Sequence, residues 1–241
     1  GRAIMSDILA IIPAYCEEKN IGAVVLACRR QGLDVLVVDD HSRDATAKTA
    51  LAAGATVVSH CFNVRYGCAL QTGYQYAREH GYRAVVQLDG DGQHDPAWLP
   101  QLLAPILAGE ADVVMGSRFL GDAGYHVPWA RRVGQRLFGA IAGYLIGERV
   151  TDPTTGLQAL SLPVVSLYCT SVFPDDYPDA DMRIILHRMG FRVREIAVQM
   201  RASETGQSMH SGILRPLYYI YKMSLAMLIA CYRKLPAKEM S

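Results

Sequence analysis

The segment "DGDGQHDP", which begins at Asp89, carries side chains of the kind that hold a divalent metal. Asp89 and Asp91 offer carboxylate oxygens, and Gln93 offers an amide oxygen. Hard cations such as Mg²⁺ and Mn²⁺ take oxygen ligands, typically one or two carboxylates together with substrate phosphates. Gly90 lets another group approach the backbone closely, and His94 would be a further ligand for Mn²⁺. The segment therefore indicates a site for Mg²⁺ or Mn²⁺ that a phosphate-bearing substrate completes.

Two other interpretations of this segment fail on spacing, and a third stays open. A calcium loop counted from Asp89 needs glycine at its sixth position and glutamate at its twelfth, where the chain has His94 and Pro100. The dinucleotide fingerprint G-x-G-x-x-G belongs after the first strand of a sheet, and that place lacks it. A solvated surface turn remains the alternative to a metal site.

The elements that must position the acidic segment alternate between strand and helix. Short apolar runs predict strands at residues 8–13, 34–39, 56–59, 83–88 and 112–117. Helices are predicted between them at residues 20–30, 45–53, 67–80 and 96–108, with Asn20, Asp44 and Asp95 as their N-caps. This alternation predicts an α/β fold with a mostly parallel, doubly wound sheet and helices on both faces.

Polar segments follow four of the predicted strands at their carboxyl ends, which is where ligands bind in open α/β sheets. They read "AYCEE", "DDHSRD", "DGDGQHD" and "SRF" in chain order. Four strand ends that all carry polar groups point to one shared site.

The rest of the chain is less regular. We predict helices at residues 133–146 and 180–189, a strand at 192–200, a polar candidate lid at 201–212, and a long amphipathic helix from residue 213 with a break near Pro216. We therefore interpret residues 5–212 as one domain and residues 213–241 as a C-terminal amphipathic helical appendage. Tyrosines and cationic ends suit that helix to a membrane interface, and packing on its own domain or on a partner chain is the alternative.

Composition limits the classes of function. The chain has 241 residues, is 51% hydrophobic and carries a net charge of +1, so there is no electrostatic case for a nucleic-acid partner. Its six cysteines include no C-x-x-C pair, which indicates a reduced, intracellular protein. The longest apolar run near the C-terminus, "MSLAMLIACY", falls short of the roughly 20 residues that a membrane-spanning helix needs.

Six segments occur in the order seen in family 2 glycosyltransferases of the GT-A fold: "IIPAYCEEKNI", "VLVVDDHSRDAT", "QLDGDGQHDP", "VVMGSRF", "TDPTTGLQAL" and "GQSMHSG". Over residues 8–233 the chain most resembles the branch that transfers sugars to dolichyl or polyprenyl phosphate. The resemblance implies a metal-dependent, inverting transfer from a UDP-, GDP- or dTDP-sugar to a polyprenyl phosphate or a glycan of the cell envelope. It departs from the branch at Met209, where a cation is common, and at Leu157, where some relatives have aspartate.

The resemblance also implies roles for single residues. Those expected to hold the base and ribose of the donor are Pro13, Ala14, Tyr15, Glu17, Asp39 and Asp40. Asp91, Gln93 and Asp89 are the expected metal ligands. The donor diphosphate is expected to contact Asp89, Gly90, Arg118, Arg201 and Ser208. Arg118 would stabilise the charge that grows on the leaving diphosphate, and in that sense we count it as catalytic.

The residues that would bind or activate the acceptor have alternative interpretations. Asp179 and Asp181 lie where the family places an acidic residue, and Asp181 is the first choice for a general base if the acceptor is a hydroxyl. A phosphate acceptor needs no base, so Asp181 would then position the acceptor or simply begin a helix. Arg131 and Arg132 would bind an acceptor phosphate, or form a solvated helix face. Asp152 is interpreted as the cap of a turn.

The resemblance places the protein in the cytoplasm, at the inner face of the cell membrane if the acceptor is a lipid. The membrane surface, a small membrane protein and a second copy of the chain are the partners considered. A nucleotidyltransferase shares this kind of sheet, but it would need a basic glycine-rich loop where the chain has "PAYCEEKN". A non-catalytic nucleotide-binding subunit is the remaining alternative.

Overall fold

The computed structural model describes residues 7–120, 129–178, 180–200 and 214–235. Its strands are β1 (Ile8–Ala14), β2 (Asp34–Asp39), β3 (Thr56–Ser59), β4 (Ala84–Gln87), β5 (Val113–Ser117), β6 (Gln158–Ser161) and β7 (Val193–Ala197). Its helices are α1 (Ile21–Arg30), α2 (Thr46–Ala52), α3 (Tyr66–Glu79), α4 (Leu99–Leu107), α5 (Trp129–Ile146), α6 (Leu162–Tyr168), α7 (Ala180–Arg188) and α8 (Leu214–Tyr232). The strand and helix order predicted for the first half is confirmed.

The seven strands form one sheet in the order β3-β2-β1-β4-β6-β5-β7. All neighbouring pairs are parallel except those of β6, which runs antiparallel to both β4 and β5. The sequence analysis missed β6. Its direction matters because the loop that precedes it, residues 151–157, reaches the same sheet edge as the carboxyl ends of β4 and β5.

Helices cover both faces of the sheet, as predicted for a doubly wound fold. Side chains alternate along each strand, so Ile11 and Val38 join the core beneath α3 and α5–α8, whereas Ile12 and Val37 join the core beneath α1, α2 and α4. All four side chains are fully buried. Two packed cores thus fix the strand positions, and with them the polar segments at the strand ends.

Asp95 is confirmed as an N-cap, whereas the N-cap of α2 is Ala45 and Asp44 lies one residue before it. The Asp95 carboxylate accepts a hydrogen bond from the Ala97 N–H at 3.0 Å, and the Asp44 carboxylate accepts one from the Thr46 N–H at 3.0 Å. Asn20 occupies the N-cap position of α1 as predicted, but its side chain makes no cap bond. Its amide instead donates to the Glu17 carboxylate at 3.3 Å, so Asn20 helps to orient Glu17.

Helix α8 runs without a break from Leu214, so the predicted interruption at Pro216 is wrong. Proline in the first helical turn removes only an N–H group that has no intrahelical partner. Met223, Met227 and Ala230 of α8 are buried in the core beneath α7. A second apolar row on α8 is exposed: Leu225, Leu228, Ile229 and Tyr232. Among the described residues, no helix combines the length and the hydropathy needed to cross a membrane.

Candidate active site

The polar segments at the strand ends meet at one edge of the sheet. The Asp40 N–H after β2 donates to the Ala14 carbonyl oxygen at the end of β1, at 2.9 Å. A Cβ placed on Gly90 would lie 3.5 Å from the Pro13 carbonyl oxygen, so the segment after β4 is in van der Waals contact with β1. Tyr15 is exposed at the mouth of this edge. The prediction that these strand ends form a shared site is consistent with this geometry.

Asp89 is anchored on both carboxylate oxygens. The Tyr66 hydroxyl donates to Oδ1 at 2.7 Å, and the His94 Nε2 lies 3.1 Å from Oδ2. Burial pushes the pKa of Asp89 up, but the bonds from His94 and Tyr66 and the charge of Arg118 outweigh it and hold the pKa below its usual value. Gly156 packs directly against this carboxylate, because a Cβ there would come within 2.7 Å of Oδ2. Asp89 is therefore fixed in place and ionised.

His94 is a support for Asp89 in this arrangement. Its ring is 3% exposed, and Nε2 is already directed at the Asp89 carboxylate. This contact gives His94 an orienting role, and its suggested role as a Mn²⁺ ligand stays a prediction. Its backbone also forms a bridge with Met200, next to the predicted lid.

Asp91 is bonded within its own loop, whereas Asp89 also bonds Tyr66 of α3. The Asp91 carboxylate accepts hydrogen bonds from Gln93 through the backbone N–H at 2.9 Å and through the side-chain amide. Desolvation, followed by repulsion from Asp89, raises the pKa of Asp91. Desolvation also raises the pKa of Glu17, and the charges of Asp91 and Asp89 add to that rise. Crowded carboxylates of this kind favour a bound cation.

The donor set fits a metal that a substrate completes. Within the described residues, no group of three or more His, Cys, Asp or Glu side chains has a metal-binding arrangement. Mg²⁺ and Mn²⁺ sites of nucleotide enzymes commonly use only one or two carboxylates and take their other ligands from phosphate and water. Asp91, with Asp89 beside it, satisfies that requirement.

Arg118 forms a buried ion pair that the sequence analysis did not anticipate. Its Nε donates to Asp152 Oδ2 at 2.6 Å, and its Nη2 donates to Asp152 Oδ1 at 2.7 Å. Nη2 also donates to the Thr154 hydroxyl at 2.9 Å. Arg118 is 7% exposed and Asp152 is 1% exposed. Asp152 also caps its turn as predicted, because Oδ1 accepts a hydrogen bond from the Thr154 N–H at 3.4 Å, and in addition it holds the Arg118 guanidinium, whose charge lowers the pKa of Asp89.

Asp40 organises the loop between β3 and α3. Its carboxylate accepts hydrogen bonds from the Val64 N–H at 2.8 Å and the Arg65 N–H at 3.0 Å, and His60 Nδ1 lies 2.9 Å away. Arg65 has a φ of 81°, a strained value for a residue with a side chain, and the Asp40 bond holds it there. This loop begins helix α3 and so places Tyr66 beside Asp89.

The loops after β1 and β2 are tied together around Glu17. The Glu17 N–H donates to the Thr46 hydroxyl at 2.8 Å, and the Cys16 N–H donates to the Ser42 hydroxyl at 2.9 Å. The Ser42 N–H donates to Asp39 Oδ1 at 3.2 Å. Asp39, the last residue of β2, and the half-buried Glu17 therefore lie at the same end of the sheet, in segments joined by these bonds.

The comparisons with known proteins identify the family of the chain. The sequence model described as "Glycosyl transferase family 2" matches residues 9–165 of the chain. The chain belongs to glycosyl transferase family 2. The protein is therefore a glycosyltransferase. This replaces the two alternatives, a nucleotidyltransferase and a non-catalytic nucleotide-binding subunit.

Relatives within the family support the polyprenyl-phosphate branch. The chain is 31% identical to a polyprenol monophosphomannose synthase of Mycolicibacterium smegmatis, over 85% of this chain and 81% of the relative. It is 30% identical to an undecaprenyl-phosphate mannosyltransferase of Micrococcus luteus, over 85% and 88%. The glucosyl-3-phosphoglycerate synthase of Mycobacterium tuberculosis, solved with UDP, superposes with a TM-score of 0.69 at 22% identity, over 95% of this chain and 81% of that one. The last comparison shows the GT-A fold.

Several residues expected to serve this family 2 enzyme are not described. Asp179, Arg201 and Ser208 lie outside the described residues, as do the side chains of Arg131 and Arg132. Asp181 is described and lies half-buried in the first turn of α7. Burial raises the pKa of Tyr168, and the charge of Asp181 raises it further, so these two side chains are neighbours. The base or positioning role of Asp181 stays a prediction.

The sequence analysis of this glycosyltransferase missed the residues that hold the side chains of Asp89 and Arg118 in place. Tyr66, Asp152 and Gly156 all contact a predicted site residue from an element distant in sequence. The segment "TDPTTG" was the available signal for Asp152 and Gly156, because it was one of the six segments of the family resemblance. No local pattern marked Tyr66.

Proposed function

We propose that this family 2 enzyme transfers a hexosyl group from a nucleoside-diphosphate sugar to a polyprenyl phosphate, with a glycan as the alternative acceptor. The observation that carries the proposal is the contrast between the two aspartates. Asp89 is bonded by Tyr66 of α3 and by His94, whereas Asp91 lies beside it with a raised pKa and accepts its hydrogen bonds from Gln93 of its own loop. One carboxylate fixed to a neighbouring helix and one held within its loop, at a shared strand edge, suit a metal-bound diphosphate.

Different residues would bind different parts of the nucleotide-sugar donor. Asp91, with Asp89 and Gln93 near it, would hold Mg²⁺ or Mn²⁺, which supplies positive charge to the diphosphate leaving group. Asp39 and Glu17 would contact the base and ribose from the connected segments at the ends of β1 and β2. Arg118 contributes fixed positive charge from its buried pair with Asp152.

The proposal predicts metal-dependent stabilisation by one nucleoside diphosphate. UDP, GDP and dTDP are titrated in a thermal-shift assay, each with Mn²⁺, with Mg²⁺ and with EDTA. At about 100 times the Kd, binding adds about 2.7 kcal/mol, which raises the Tm of a chain of this size by about 5–10 °C. A shift that is independent of metal, or that appears only with triphosphates, would contradict the proposal.

The acceptor is assigned from relatives and from α8. Two relatives are named for transfer to a polyprenol or to undecaprenyl phosphate. The exposed apolar row of α8 gives the chain a surface that could rest on the membrane where such an acceptor lies. We therefore include peripheral attachment to a membrane surface in the proposal.

Vesicle flotation tests the membrane part separately. Leu228→Lys in the exposed row should weaken partition onto phosphatidylglycerol-containing vesicles about tenfold, because an apolar side chain no longer enters the interface. Leu51→Lys on α2 is the matched control, since Leu51 is 57% exposed and Leu228 is 56% exposed. Equal flotation of the two variants and the wild type would remove α8 from the membrane contact.

A further inference from the structure

Two stacked tyrosines form a ledge beside Asp89. The rings of Tyr66 and Tyr177 lie with centroids 5.4 Å apart and planes at 24°. The Tyr66 hydroxyl donates to Asp89 Oδ1 at 2.7 Å, which fixes one end of the ledge to the proposed diphosphate site. Tyr177 is 43% exposed. We call Tyr66 and Tyr177 the tyrosine ledge.

The segment that carries Tyr177 is firmly seated against the start of α3. The Cys68 N–H donates to the Asp175 carbonyl oxygen at 3.2 Å. Gly67 leaves no space between the two segments, because a Cβ there would come within 2.2 Å of the Pro174 carbonyl oxygen. These contacts place Tyr177 before any ligand arrives, which lowers the entropy cost of using it for binding.

A third contact fixes the same segment from the other side. Lys222 of α8 makes an ion pair with the Asp176 carboxylate, next to Tyr177 in sequence. Arg65 lies 4.0 Å from the same carboxylate. The ledge is therefore bordered by charged groups as well as by Asp89.

This combination of a partly exposed aromatic side chain and a nearby carboxylate suits a sugar ring. A pyranose presents C–H groups on its faces and hydroxyl groups around its rim. The face can pack on an aromatic side chain while the rim bonds polar neighbours. We propose that the tyrosine ledge is the subsite for the hexosyl ring of the donor, a proposal that rests on the proposed function.

The position of the ledge favours the donor sugar over the hydrocarbon part of a lipid acceptor. In a nucleotide sugar the hexose is joined covalently to the diphosphate. In the protein, the Tyr66 hydroxyl of the ledge donates a hydrogen bond to Asp89, which belongs to the proposed diphosphate site. An isoprenoid chain would instead need an extended apolar surface, whereas the ledge is bordered by Lys222, Asp176 and Arg65. The charges at this border suit hydroxyl groups.

The test compares a nucleoside diphosphate with its sugar conjugate. Calorimetry with Mn²⁺ gives the Kd of UDP, UDP-glucose, GDP and GDP-mannose for the wild type and for Tyr177→Ala. We expect Tyr177→Ala to weaken binding of the nucleotide sugar about tenfold and to change the Kd of the free diphosphate less than about twofold. Tyr177→Phe keeps the aromatic face and should restore the affinity for the sugar conjugate.

Tyr144→Ala is the matched control, because Tyr144 is an exposed tyrosine of α5 and should leave every Kd unchanged. Thermal unfolding checks that each variant is folded. Equal losses for diphosphate and sugar conjugate, or no loss for either, would overturn the ledge proposal. So would a change confined to the KM of a polyprenyl phosphate. Failure of the wild type to bind any diphosphate would instead overturn the proposed function, and the ledge proposal with it.

Discussion

Asp91→Asn should abolish stabilisation by nucleoside diphosphate and Mn²⁺ while leaving the ligand-free protein at least as stable as the wild type. The asparagine side chain has lost the charge that a divalent metal requires. In the ligand-free protein the ionised Asp91 is unfavourable, because desolvation and the charge of Asp89 raise its pKa. An asparagine accepts only one of the two hydrogen bonds from Gln93, and the loss of that bond opposes the gain from removing the charge, so the free energy of unfolding should equal or exceed the wild-type value.

The pH dependence of this gain has a definite sign. When the pKa of Asp91 is higher in the folded state than in the unfolded state, the folded protein binds more protons than the unfolded protein at pH values near those two pKa values. The unfavourable charge on Asp91 is therefore neutralised as the pH falls through the raised pKa. The gain from Asp91→Asn should be largest near pH 7 and should shrink toward acidic pH. Urea unfolding without metal at several pH values measures it.

Asp89→Asn is the matched variant and should act in the opposite direction. Asp89 accepts from Tyr66 and His94, and its pKa is lowered, so its charge contributes stability at neutral pH. An amide cannot accept both bonds, because one of its ends is a donor. We expect a loss of about 1–3 kcal/mol in the free energy of unfolding. If both variants lowered the free energy of unfolding, the assignment of a stabilising charge to Asp89 and an unfavourable charge to Asp91 would be wrong.

The fold could be predicted from the sequence where local pattern determines structure. Strands β1, β2 and β4 are short apolar runs buried on both faces, and polar residues follow each of them. Strand β6 could not be predicted in this way, because "QALS" has no distinct period and lies in a strand only through pairing with β4 and β5 on either side. Tertiary pairing rather than propensity makes it a strand.

The missed contacts of the site have the same physical origin. Asp152 reaches Arg118 only because β6 runs antiparallel and returns its preceding loop to the carboxyl end of β5. Tyr66 reaches Asp89 because Asp40 holds the loop before α3 in place. The candidate site residues at the strand ends can be predicted from their residue types. The residues that orient their side chains cannot, because those contacts depend on the topology of the sheet.

The Arg118–Asp152 pair leads to the prediction with the largest effect on stability. Arg118→Met removes both bonds to a carboxylate that is 1% exposed, and it leaves that charge unpaired in the interior. Breaking a buried pair from one side typically costs about 3–5 kcal/mol, and we expect a loss in that range from urea unfolding. Arg118→Met combined with Asp152→Asn should recover part of the loss, because the stranded charge is then absent.

Arg183→Met is the control, because it is also a change from a buried arginine to methionine. Arg183 is 4% exposed, and its Nη2 donates at 3.2 Å to Glu148, which is largely in solvent. Within the described part of the chain, its Nε and Nη1 have no hydrogen-bond partner, and desolvation lowers its pKa. Replacing this costly charge should change the free energy of unfolding by less than about 1 kcal/mol, or raise it. Equal losses in both variants would mean that the size of a buried arginine, and not its pairing with Asp152, stabilises this edge of the sheet.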